Sequence, residues 1–98
     1  MLAVHLLVLI EVQPGKRQQQ FQAYQKLKPL VQAEAGCLQY ELFADANDEN
    51  KFVLVEHWAS QAALDAHDVA PHMVGADRLN PFFRAKPSVV IKMNSVDV

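Results

Sequence analysis

Cysteine occurs once in this chain, at Cys37. A single thiol excludes an internal disulfide framework and a zinc cage built from cysteines. It fits a reducing compartment, and a cytoplasmic location is expected. Glycine is nearly as scarce, with Gly15, Gly36 and Gly75 standing alone. No Gly-rich loop is left to cradle a phosphate, which argues against a dinucleotide fold and a P-loop. There is no run of Lys or Arg, and 9 basic residues face 11 acidic ones for a formal charge of −2. Nucleic acid is therefore not an expected partner, since that binding rests on neutralising phosphates. The apolar stretch Ala3–Ile10 contains His5 and is far shorter than the roughly 20 residues of a membrane span. It also lacks a basic leader and a cleavage site of small residues, so neither a membrane anchor nor a secretory signal is expected.

What is present is globular. Hydrophobic residues make up 51% of the 98 positions and charged residues 20%, the balance of one folded domain rather than a disordered chain. A domain of this size buries roughly 60–70% of its unfolded surface, enough to fold with little to spare. Residues 1–98 are read as a single domain, with a core of about 1–93 and a short polar tail.

Residues 2–12 read as a first strand, so poor in polar residues that both faces are expected to be buried. Pro14-Gly15 ends it. Residues 16–35 read as a helix, with Phe21, Tyr24, Leu27, Val31 and Ala35 at helical spacing. Pro29 should kink it, and Gly36 is a natural cap. Residues 37–43 form a second strand with Leu38, Tyr40 and Leu42 on one face. After the acidic turn Asp45–Asn50, a third strand runs from Phe52 to Trp58, most simply as an antiparallel hairpin. Ser60 caps a helix through about Asp68. Pro71 starts another, ending near Leu79-Asn80-Pro81. Phe82-Phe83 are expected to pack where the chain returns to the sheet, and Pro87–Met93 is the last strand.

The order is β-α-β-β-α-β with a split second helix, an α+β, ferredoxin-like arrangement. Both helical segments should cover one sheet face. The other face would be left apolar and wet in a monomer, since Phe52 and Leu54 alternate with Val53 and Val55. Such a surface marks an interaction site. A homodimer joined through the uncovered sheet faces, with two-fold symmetry, is expected.

The strings Pro14-Gly15-Lys16, Gly36-Cys37-Leu38-Gln39-Tyr40, Glu56-His57-Trp58, Ala63-Leu64-Asp65-Ala66-His67 and Pro71-His72-Met73 occur in this order. Together they resemble the antibiotic biosynthesis monooxygenase domain family, over nearly the whole chain. The resemblance implies a dimeric α+β barrel with a pocket between sheet and helices. It also implies one of several reactions: cofactor-independent oxygenation of quinols or polyketide-derived phenols, haem degradation, or isomerisation of a phosphorylated dione. The haem-degrading branch needs an Asn on the first strand, and Met1–Val12 contains none. The polyketide oxygenases use an Asn near their Trp, whereas Asn47, Asn50, Asn80 and Asn94 are read here as turn or tail residues.

Leu54, Glu56 and Trp58 alternate on one strand face, which the resemblance turns toward the pocket. A buried Glu56 would have a raised pKa and could serve as acid or base. Trp58 is expected as core and pocket wall. His67 and His72 lie five positions apart, about 140° around a continuous helix, so Pro71 must break the helix for them to converge. Histidine is the natural general base near neutral pH. His57 has the opposite parity and should face the dimer surface, and His5 is expected to be a hydrogen-bonded core residue. The spacing of His57, His67, His72, Glu56 and Asp68 matches no standard helical metal pair, and no metal or other cofactor is expected.

The expected function is a cofactor-independent monooxygenase of small aromatic or quinol-like substrates, with dioxygen as co-substrate. His67, Glu56 and His72 would be catalytic, and Tyr40, Leu54, Trp58, Phe82 and Phe83 would shape the pocket. Two alternatives are an isomerase of a small dicarbonyl compound, phosphate-bearing if Lys51, Arg78, Arg84 or Lys86 serve as donors, and a non-catalytic ligand-binding dimer.

Overall fold

The computed structural model describes residues 2–97. Its element order is β1 (Val4–Glu11), α1 (Arg17–Gln32), β2 (Cys37–Ala44), β3 (Lys51–Trp58), α2 (Gln61–Asp68), α3 (Pro71–Leu79), a 3-10 turn at Asn80–Phe82, and β4 (Val89–Met93). The strands form one antiparallel sheet in the order β2-β3-β1-β4. This is the expected α+β, ferredoxin-like fold with a divided second helix.

The divisions have local causes. Ser60 caps α2, its hydroxyl accepting a hydrogen bond from Ala63 N at 3.1 Å, which satisfies one of the free amides of a helix start. Pro71 occupies the first turn of α3, where its missing N–H is not needed. Pro29 stays inside the last turn of α1. The helix ends at Gln32 rather than at residue 35, because Gly36 turns the chain back at φ +83°. That glycine is fixed twice. A Cβ there would lie 2.6 Å from Ala63 Cβ, and its carbonyl accepts from Ala59 N at 2.8 Å.

The core lies between the sheet and the helices. Val4, Leu6, Val8 and Ile10 of β1 point into it, as do Phe52, Leu54, Glu56 and Trp58 of β3. Expectations that both faces of β1 and the whole of Phe21's stripe would be buried are corrected. Phe21 is exposed, and Gln20 takes the buried position beside Ala23, Tyr24, Leu27 and Val31. A register shift between Cys37 and Gln39 separates Leu38 from Tyr40 and leaves Leu38 exposed.

The second face of the sheet carries no helix. Across it run the rows Phe43–Val53–Leu9–Val89 and Glu41–Val55–Leu7–Ile91. Leu9, Phe43, Val89 and Ile91 are exposed. His5 is not in the core; it stacks on His57 at the end of this face, ring centroids 4.0 Å apart. No helix among the described residues is long and apolar enough to cross a membrane.

Candidate active site

A cavity of about 340 Å³ opens between the helix-covered face of the sheet and α1, α2 and α3. Leu6, Val8, Leu54 and Leu64 make it apolar; Glu56, His67, Tyr40 and Arg84 supply its chemistry. The volume suits a single small ligand.

At one end the polar groups form a chain. His67 Nδ1 lies 2.8 Å from Glu34 Oε2. The same oxygen lies 2.8 Å from His72 Nε2. His67 Nε2 faces Glu56 Oε1 at 3.8 Å. Trp58 Nε1–H donates to that same Glu56 oxygen at 2.9 Å. The His67 ring also rests against the Trp58 indole, with centroids 4.5 Å apart. His67 is 3% exposed and Glu56 5%, so these interactions act with little solvent screening.

Four segments place this chain. Glu56 and Trp58 alternate on β3, which turns both toward the helices. The last turn of α2 delivers His67. Glu34 stands in the α1–β2 loop, held by its own N–H to Val31 O at 3.0 Å and by Cys37 N–H to its carbonyl at 3.2 Å. The break at Pro71 lets His72 swing to the same carboxylate.

Burial pushes the Glu56 carboxyl above its ordinary value, only partly opposed by the Trp58 hydrogen bond and by His67. Burial also pushes the Tyr40 phenol well up, and Glu56 adds to this. Cys37 stands beside the site, where burial and the charges of Glu34 and Glu56 raise its thiol. A raised thiol is mostly protonated near neutral pH and so a poor nucleophile.

Of the residues expected from the sequence, His67, Glu56, Tyr40 and Leu54 line the cavity. Trp58 does not; it is completely buried behind His67 and acts on the site through Glu56. Phe82 and Phe83 are not cavity walls either. Phe82 is 76% exposed, and both border a second, more open groove of about 440 Å³ between α1 and the end of α3. The 3-10 turn at Asn80–Phe82 carries them past the cavity. His72 borders that groove as well and reaches the site through Glu34.

Glu34, Gln20 and Asn80 contact or line the site without being among the expected site residues, and Arg84, expected only as a donor to a phosphate-bearing substrate, lines it too. Gln20 falls on the helical stripe of Ala23, Leu27 and Val31, a signal that was present in the spacing. Asn80 is a turn residue as expected, yet it lines the cavity. Glu34 carried no such signal. Glu34, His67 and His72 offer ligand atoms within 4.8 Å of one another, a carboxylate and two imidazoles that suit a transition metal. That set differs from the one weighed from spacing, and all three donor atoms already take part in imidazole–carboxylate hydrogen bonds.

A sequence profile described as antibiotic biosynthesis monooxygenase matches residues 3–78. The chain is 38% identical over 66 residues to YcnE of Bacillus subtilis, whose name proposes a monooxygenase; the match covers 67% of this chain and 70% of that one. Among solved structures, PA3566 of Pseudomonas aeruginosa superimposes with a TM-score of 0.90 at 27% identity, covering 98% of this chain and 96% of the other. A crystal structure described as an antibiotic biosynthesis monooxygenase superimposes with a TM-score of 0.87 at 27% identity, covering 95% and 98%.

Proposed function

The chain belongs to the antibiotic biosynthesis monooxygenase family, and from this premise we propose that it oxygenates small phenols or quinols without a cofactor, His67 serving as the base. The observation that carries this reading is the placement of His67 between Glu34 and Glu56 at one end of an apolar cavity.

A carboxylate at Nδ1 selects the imidazole tautomer that bears its proton there. The Nε2 lone pair is then free on the side of Glu56. A phenol entering the cavity gives its proton to Nε2. Glu34 stabilises the imidazolium that forms, as a carboxylate does in other base–orienter pairs. Burial keeps this ion pair strong. The electron-rich phenolate reduces dioxygen itself. A new carbon–oxygen bond forms, and the second oxygen atom leaves as water. For a hydroquinone, one quinol and one dioxygen give one hydroxyquinone and one water, with all four electrons drawn from the quinol. Glu56, whose carboxyl faces the same nitrogen at 3.8 Å, exchanges protons on that side of the ring, and its raised pKa lets it return one as an acid.

The open sheet face supports a second part of the proposal, a two-fold homodimer. Its two central rows are apolar apart from Glu41 at the β2 edge, and a second copy of the same face can meet it under two-fold symmetry. Burying it there would remove an exposed patch from water.

The test is oxygen uptake by metal-free protein with a panel of quinols and polyphenols. Heat-denatured protein and His67→Ala control for autoxidation. Uptake above the denatured control, one labelled oxygen atom in the product, and a loss of roughly 10²–10⁴-fold in His67→Ala support the proposal. Uptake equal to the denatured control across the panel removes it.

A further inference from the structure

The cavity has a second polar end. Glu56 pairs with Leu6 across the sheet, whereas Arg84 bridges Val12, six residues further along the chain. On an extended chain this is about 20 Å, a separation that the long Arg84 side chain shortens as it reaches back into the cavity. Arg84 Nε donates to Gln20 Oε1 at 3.1 Å. Gln20 is 4% exposed, so the guanidinium is aimed by a buried amide rather than left to swing. Among the described residues neither Nη of Arg84 has a hydrogen-bond partner, and no carboxylate forms an ion pair with it. The Tyr40 hydroxyl lines the same cavity and likewise has no protein partner among the described residues. Two carboxylates, Asp68 and Asp77, also border the cavity, and Lys92 stands there bonded to Gln61.

We infer that Arg84, aimed by Gln20, is the recognition point for an anionic group on the substrate, so that this cavity prefers phenols or quinols that carry a carboxylate or phosphate to neutral ones. The inference rests on reading the cavity as the substrate site. A guanidinium withdrawn from water without a carboxylate partner is stabilised by an anion that brings its own charge. Its two free Nη groups form the planar fork that matches a carboxylate or phosphate bidentately. Burial lowers the Arg84 pKa, opposed by Tyr40 and Asp77, which agrees with a partly desolvated cation. The proton-transfer residues lie at the level of Leu6 in the sheet, whereas Arg84 enters from the level of Val12 and its guanidinium is held by Gln20 of α1. An acid held at the fork would therefore present its ring to His67.

The experiment is anaerobic calorimetric titration of the wild type and Arg84→Met, which separates binding from turnover. The probes are 2,5-dihydroxybenzoate against its methyl ester, and 4-hydroxyphenyl phosphate against hydroquinone. The first pair tests a carboxylate, the second a phosphate ester. At least one acid should bind about 10-fold or more tighter than its neutral analogue. That preference should vanish in Arg84→Met while the affinity for the neutral analogue is kept. The wild-type comparison stands even if the variant fails to fold. Equal binding of acids and neutral analogues, no binding of either acid, or a preference that survives Arg84→Met would overturn the inference. An acid preference without oxygen uptake would sink the monooxygenase reading alone, and uptake without acid preference would sink only this one.

Discussion

His67 Nδ1 lies 2.8 Å from Glu34 Oε2, across 33 positions of sequence. The contact decides which nitrogen of the imidazole faces the cavity. Replacing Glu34 by Gln keeps the shape but removes the charge that stabilises imidazolium. Turnover in Glu34→Gln should fall by roughly 10²-fold or more, with kcat affected more than KM. Steady-state kinetics with the best quinol of the panel is the check. A loss confined to KM would make Glu34 a binding residue instead.

Glu56 gives a stability that depends on pH. Its carboxyl is raised, first by burial. The folded chain therefore holds this proton at pH values where the unfolded chain has lost it. Stability contributed by the neutral form is full below the unfolded value of about 4.3 and declines as pH rises through the higher folded value. Glu56→Gln is neutral throughout and still offers an oxygen to Trp58 Nε1. Thermal melts from pH 4 to 8 should show a smaller decline for the variant than for the wild type. Parallel curves would mean that Glu56 is not desolvated.

Gly36 should tolerate no side chain. Gly36→Ala places a methyl in a left-handed backbone conformation and 2.6 Å from Ala63 Cβ. The expected cost is about 1–3 kcal/mol, measured as a lowered urea midpoint at unchanged slope. Because the same turn carries Glu34, activity should drop even where the variant is folded.

The bare sheet face predicts an oligomer that a single charge breaks. The wild type should sediment at twice the monomer mass. Leu9→Glu puts a carboxylate in the centre of that face, on β1 between Val53 and Val89, and should sediment as a monomer. A wild-type monomer at micromolar concentration would end the proposal of a sheet-to-sheet dimer.

The same face carries a histidine pair. Burial and the neighbouring His5 both hold His57 below its ordinary value, and its Nε2 is buried without a hydrogen-bond partner. The neutral form of His57 contributes stability fully above about pH 6.5, and that contribution is lost as pH falls through the lower folded value. The proposed dimer should therefore loosen on acidification, and His57→Gln should shift that transition to lower pH. Light scattering across pH 5 to 8 reads both.

The sequence by itself determined the elements. Alternation in Phe52–Trp58 placed Leu54, Glu56 and Trp58 on one face, Ser60 and Pro71 divided the second helix, and Gly36 closed the first. These are local consequences of backbone geometry, so neighbouring residues suffice to read them. The site was legible only where its residues sit on such elements, as His67 and Glu56 do. Phe82 was misplaced because a single 3-10 turn rotates it away from the cavity. The Glu34–His67 and Arg84–Gln20 contacts are out of reach for a different reason. In each, a residue in irregular chain outside the helices and strands meets its partner from more than 30 positions away. No periodicity links such pairs. Only the packing of the α1–β2 loop on α2, and of the return to β4 on α1, brings carboxylate to imidazole and guanidinium to amide.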